Sequence, residues 1–132
     1  MAGGDFPEAA ILSMPYRRDE LILYLKELEL PDPRPVWREE RERGLISDID
    51  QVFHFFFDDN EFDESAIGVT LHGQWEVSAI QNVKARLNAL LESVGDDGDD
   101  VFVQHPIWPQ VTAAASYALR QLVRPQRPPT TP

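Results

Sequence analysis

The chain has 132 residues, 42% of them hydrophobic, which is enough for one buried core and too short to divide comfortably into two. It has no cysteine, which excludes disulfides, a thiolate nucleophile and a cysteine metal cluster, and fits a reducing cytoplasm. The start lacks the basic region of a secretory signal, and no apolar run approaches the roughly 18 residues of a membrane span, so a cytoplasmic protein without a membrane partner is expected.

The net charge of -11 is unevenly placed. Residues 45–105 hold thirteen acids against Lys84 and Arg86 alone, and so carry the whole excess; the ten acids and ten bases elsewhere cancel. Such a field repels nucleic-acid phosphates and anionic membranes and attracts basic proteins. Acidity serves solubility as well, but that explains the segregation less well.

Residues 1–14 read as a flexible leader, with a small Ala-Ala-Ile-Leu patch. Asp19 to Leu28 reads as the first helix, with Leu21, Leu25 and Leu28 at helical spacing, and Pro31, Pro33 and Pro35 ending it. Val36 to Arg43 is a short charged helix carrying Trp37 as its one large apolar residue, with Gly44 as its stop. Ser47 followed by Asp50 resembles a capping box with Asp for Glu. Beyond it Ile49, Val52, Phe53 and Phe56 follow the i, i+3, i+4, i+7 pattern of a buried stripe, which predicts the central helix of the core. Phe53, Phe55, Phe56 and Phe57 are also compatible with a buried strand, but length and the capping signal favour helix.

Asp58 to Glu64 is a first acidic loop. Ala66 to Leu71 is the most strand-like segment, β-branched with a glycine inside, and Val101-Phe102-Val103 is its one candidate partner. Gln74 to Val94 is the longest helical pattern, closed by Gly95. Asp96 to Asp100 is a second acidic loop. A last helix runs from about Pro109 to Val123, its small residues suited to close packing, and residues 124–132 form a proline-rich tail expected to be disordered. The expected fold is mainly α: one compact bundle of about four to five helices over 15–123, with a minor β element near 66–71 and 101–103.

Tests for chemistry return little. No serine sits in a G-x-S-x-G turn, and no glycine-rich phosphate loop or basic nucleic-acid surface is present. His54, His72 and His105 lie in three separate segments; His54 among phenylalanines on a predicted buried helix reads as a core or core-edge histidine. The 58–64 loop fails as a calcium-binding EF-hand loop. Asp59, Glu61 and Asp63 alternate correctly, but Glu64 takes the glycine position and Thr70 that of the final glutamate. In the loop starting at Asp96, Gly98 comes too early. No catalytic set, metal site or cofactor is expected.

The run Val52-Phe53-His54-Phe55-Phe56-Phe57-Asp58-Asp59, then Ile67-Gly68-Val69-Thr70-Leu71 and a long helix, resembles a family of small acidic single-domain bacterial proteins of uncharacterised function. An early Trp37 and a late Pro106-Ile107-Trp108 belong to the same likeness, which spans about 15–123 and brings no catalytic residues with it. By analogy of size and charge, such proteins look like immunity proteins, which bind and block a toxin encoded beside them.

The expected function is therefore an acidic protein-binding module, of the immunity type, that neutralises a basic toxin domain, such as a nuclease or another nucleic-acid-acting enzyme, by blocking its active site. Asp58, Asp59, Glu61, Asp63, Glu64, Asp96, Asp97, Asp99 and Asp100 are its candidate contacts, with Phe62 either an apolar anchor inside the charged rim or a residue folded back onto the core. A small enzyme or metal-dependent protein using His54 with Asp58 and Asp59 is the first alternative, since residues four apart share a helix face. An intracellular adaptor is the second.

Overall fold

The computed structural model describes residues 9–95 and 98–123. It contains six α-helices among them: α1 (Pro15–Leu28), α2 (Arg34–Glu42), α3 (Ile49–Phe53), α4 (Gln74–Val94), α5 (Asp99–Gln104) and α6 (Trp108–Leu122). The mainly helical expectation holds, with one helix more than the four to five expected.

The core is organised around α6, which packs against both α1 and α4. Val111, Ala114, Ala115 and Ala118 are buried along it, and three alanines in one stripe let the neighbouring backbones approach closely. Leu21, Leu25 and Leu28 of α1 are wholly buried, as are Ile80, Val83, Leu87 and Leu90 of α4. The helix α1 begins at Pro15, four residues earlier than expected, because proline at a first helical position gives up an N–H that has no helical partner there. The bounds of α4 are those the sequence predicts. Gly95 ends it with φ +84°, its N–H donating to the Leu91 carbonyl at 2.7 Å.

The Phe-rich segment is a corner of the core rather than its central helix. Asp48, not Ser47, caps it, accepting the Gln51 N–H at 2.9 Å. After one α-helical turn the chain widens into a π-helical turn over His54–Asp59. The extra residue of that turn lets the adjacent Phe55 and Phe56 both point inward, while Phe57 is 37% exposed. Phe55 stacks on Tyr24 of α1 at 4.1 Å between ring centroids, and Phe53 meets Phe102 of α5 edge-on at 5.4 Å.

Three expectations are corrected. The β element does not form: among the described residues there is no strand, and only an isolated bridge joins Ile67 to Leu71. Gly68, at φ +89°, turns the chain back on itself, and the Ala66 carbonyl then accepts the N–H groups of Val69, Thr70 and Leu71. Its proposed partner, 101–103, lies inside α5, where Asp99 and Asp100 occupy the first turn and favour a helix start. Residues 9–14 are not a free leader either. The N–H groups of Ala9, Ser13 and Met14 donate to the carbonyls of His72, Gly68 and Val69 at 2.8, 3.0 and 2.9 Å. The rest of the leader and the proline-rich tail lie outside the described residues.

Candidate partner-binding surface

The acidic turn after α3 is exposed and braced from beneath. Asp58, Asp59 and Glu61 face solvent, while Asp63 and Glu64 are half-buried. Asn60 fixes the turn: its side-chain N–H donates to the Phe55 carbonyl at 3.0 Å, and its oxygen accepts from Arg17 at 3.1 Å. On the other side Lys84 and Gln81 of α4 donate to the Glu61 carbonyl at 2.7 and 3.1 Å. Burial lowers the Lys84 ammonium pKa, and its nitrogen sits 5.5 Å from the centre of the Phe57 ring. Asp63 caps the short 3-10 turn Glu64–Ala66, and the Ser65 hydroxyl and N–H hold its carboxyl below the usual range.

Of the two readings of Phe62, the core one holds and the surface anchor does not. It is 2% exposed and packs on Phe55 and Phe56 at 5.7 and 6.0 Å. To point it inward the chain adopts φ +53° at this residue, a left-handed conformation that costs a non-glycine residue about 1 kcal/mol or more. Core burial offsets that cost.

The second acidic segment plays a different part. Asp99 accepts the Ile49 N–H at 2.9 Å and lies 3.6 Å from Arg41, while Asp100 pairs with Arg34 at 2.8 Å. These two carboxylates tie α5 to α2 and α3. Asp96 and Asp97 lie outside the described residues.

Folding therefore redistributes the charge that the sequence segregates. Arg18, Arg34 and Arg41, all outside 45–105, reach Glu76, Asp100 and Asp99 within it. Among the described residues of that stretch, Asp58, Asp59 and Glu61 stay clustered and exposed.

Next to this turn runs a groove between α1 and the α3 segment, lined by Tyr16, Glu20, Tyr24, Gln51, Asp58 and Asp59, with Arg17 its one base among the described residues. It adjoins a second hollow of about 260 Å³ between α1 and α2, which shares Glu20, Tyr24 and Gln51 with it. The floor of that hollow holds Trp37, whose indole N–H donates to Glu27 at 2.9 Å. Burial, with Glu40 alongside and against the pull of the Trp37 N–H, raises the Glu27 carboxyl to about 7.

Comparison with known proteins adds one result to this geometry. The family described as "Domain of unknown function (DUF7945)" matches residues 13–128. The chain belongs to this family. No curated protein and no solved structure matches it. The resemblance drawn from the Trp37, Phe-rich and Pro106-Ile107-Trp108 motifs thus falls within a single family domain covering most of the chain.

In this DUF7945 domain the histidines are dispersed. His54 and Asp58 do meet, at 2.6 Å between Nδ1 and a carboxylate oxygen, but at the surface, with side chains 62% and 63% exposed. Asp59 turns to the α1 side. His72 Nδ1 lies 2.6 Å from the Ala9 carbonyl, and His105 Nδ1 accepts the Ile107 N–H at 3.1 Å. Among the described residues no group of three or more His, Asp and Glu side chains is placed to hold a metal ion. No helix among them is long and apolar enough to cross a membrane.

Sequence reasoning missed the Glu27–Trp37–Glu40 hollow. Its signal was present but faint: Glu20, Tyr24 and Glu27 recur at helical spacing on the face of α1 that flanks the buried leucines, and Leu45-Ile46 follow Gly44 with no helix to bury them.

Proposed function

We propose that this domain is an acidic protein-binding module of the immunity type, which binds a basic toxin domain and blocks its active site. The observation that carries the reading is the rigidly supported, exposed trio Asp58, Asp59 and Glu61. The backbone that carries these carboxylates is braced by the packed scaffold, so pairing with Lys or Arg orders side chains and not the turn, and their field accelerates encounter with a cationic surface. The adjoining groove places Tyr16, Tyr24 and Glu20 where a partner's cationic side chain could lie between aromatic and acidic walls.

The test is association with the product of the neighbouring gene. Stopped-flow rates should fall steeply with added salt, and Asp58→Lys/Asp59→Lys/Glu61→Lys should slow association at least ten-fold at low salt. Binding that ignores this triple charge reversal would overturn the reading.

The His54–Asp58 contact supports a second reading, a small enzyme or metal-dependent protein using this pair with Asp59. Calorimetric titration with divalent ions separates the two. Heat that disappears in His54→Ala favours the second reading; silence across the series removes it.

A further inference from the structure

We propose that the hollow between α1 and α2 is a second contact site, which takes a Lys or Arg side chain flanked by an aliphatic residue from a protein partner. The inference rests on the partner being a basic protein, as in the proposed function, but it assigns a different surface and different residues.

Shape and polarity lead to this occupant. Of the lining residues Glu20, Glu27, Glu40 and Asp48 are acidic, and among the described residues no Lys or Arg lines the hollow. Arg41 of α2 donates to the carbonyl of Ser47, which lines the hollow, but its guanidinium lies on the α5 side, 3.6 Å from Asp99. Around the rim stand Leu23, Leu45 and Ile46, 60%, 54% and 76% exposed, a concentration of large apolar side chains that the fold itself leaves uncovered. A volume of about 260 Å³ lies below the roughly 300–1,000 Å³ of small-molecule sites and suits one long side chain. An acidic floor under an aliphatic rim matches the snorkelling anatomy of Lys and Arg, whose apolar stems lie against carbon while the charge reaches a carboxylate.

The floor is prepared for a cation. The Trp37 N–H holds the Glu27 side chain in place, and Glu40 stands beside it. Among the described residues, those that line the hollow with Glu27 and carry polar or titratable groups are Glu20 and Tyr24 from α1, Trp37 and Glu40 from α2, and Ser47, Asp48 and Gln51 around the start of α3; none is cationic. With Glu27 protonated up to about pH 7, an arriving guanidinium or ammonium displaces that proton. Occupancy is therefore linked to proton release and strengthens as pH rises from 6 to 8.

The experiment titrates the full chain with acetyl-Leu-Arg-amide, read by NMR, with acetyl-Leu-citrulline-amide as the uncharged isostere. The expected result is a saturable shift of the Trp37 indole N–H and of the Leu23 and Ile46 methyl groups, for the arginine peptide only, and tighter at pH 8 than at pH 6. Glu27→Gln/Glu40→Gln should weaken it at least ten-fold, and Leu45→Ser/Ile46→Ser, confined to exposed rim residues, should weaken it independently. No saturable shift, or an equal response to citrulline, overturns the proposal. Shifts confined to Asp58, Asp59 and Glu61 also overturn it while leaving the acidic-turn reading intact. Conversely, a saturating hollow together with toxin association indifferent to Asp58→Lys/Asp59→Lys/Glu61→Lys would overturn the proposed function alone.

Discussion

Arg18 and Glu76 meet at two points, each guanidinium nitrogen 2.8 Å from one carboxylate oxygen, with side chains 12% and 2% exposed. Around this pair four parts of the fold converge. Arg18 on α1 also donates to the carbonyls of Thr70 and Leu122, at 3.0 and 3.1 Å. Glu76, in the first turn of α4, accepts the His72 N–H at 2.7 Å. The pair thus satisfies backbone groups at the start of α4, in the turn before it and at the end of α6. Two-point geometry of this kind is available to arginine and not to lysine.

Removing either partner strands a buried charge. Glu76→Ala should cost about 3–5 kcal/mol, and Arg18→Ala a similar amount, because the survivor has neither water nor counter-charge. Arg18→Lys should keep part of the stability, since a point charge cannot serve both oxygens and two carbonyls together. Urea unfolding checks this through the midpoint: the two alanine variants should fall well below Arg18→Lys.

Phe62 makes a second prediction, one that separates packing from recognition. Its ring packs against both Phe55 and Phe56, so Phe62→Ala should destabilise by about 3 kcal/mol. Asn60→Ala should cost about 1–2 kcal/mol, because the Phe55 carbonyl and Arg17 each lose a partner. Thermal unfolding measures both. If Phe62→Ala instead left stability intact and reduced partner affinity, Phe62 would be a surface anchor after all.

What the sequence made legible follows from how local the signals are. Periodicity over twenty-one residues, with a glycine stop, placed α4 correctly at both ends. Six residues give no period, so Val101-Phe102-Val103 read as strand although the acids before it start a helix. The π-helical turn was hidden because Phe55 and Phe56 are compatible with several periods until Tyr24 and Phe62 are in place. The roles of the acids were the least legible part. Whether Glu76, Asp99 or Asp59 faces a partner depends on where Arg18 and Arg41 fold, and those lie far away in sequence.

The pH dependence of stability follows from Glu27. Folding raises its carboxyl from 4.5 to about 7, so between these values the folded state binds more protons than the unfolded chain. Stability from this group is therefore fully present below about pH 4.5, falls as pH rises through the window, and is lost above about 7. Because Glu27 is only half-buried, solvent screening holds the effect to ~1 kcal/mol. Glu27→Gln, which keeps an oxygen for the Trp37 N–H, should raise stability at pH 8 by about that amount and leave pH 4.5 nearly unchanged. Unfolding midpoints at pH 4.5, 6 and 8 provide the check; a wild-type-like slope in Glu27→Gln would place the titrating group elsewhere.

The two acidic segments should respond differently to the same change. Asp99 accepts the Ile49 N–H and faces Arg41, so Asp99→Ala should loosen the joint between α5, α2 and α3 and cost about 1–2 kcal/mol. Asp100 and Arg34 form a more exposed pair, and Asp100→Ala should cost less, about 0–1 kcal/mol. Neither should alter association with a basic partner by more than the small loss of overall charge implies. Asp59 and Glu61 should behave in the opposite way. Their side chains face solvent, so Asp59→Asn and Glu61→Gln should leave stability within about 0.5 kcal/mol. Each should slow association with a basic partner and flatten its salt dependence. Measured side by side, stability should track position 99 and on-rate positions 59 and 61. An on-rate more sensitive to Asp99→Ala than to Asp59→Asn would move the contact surface to the α2–α5 side of the fold.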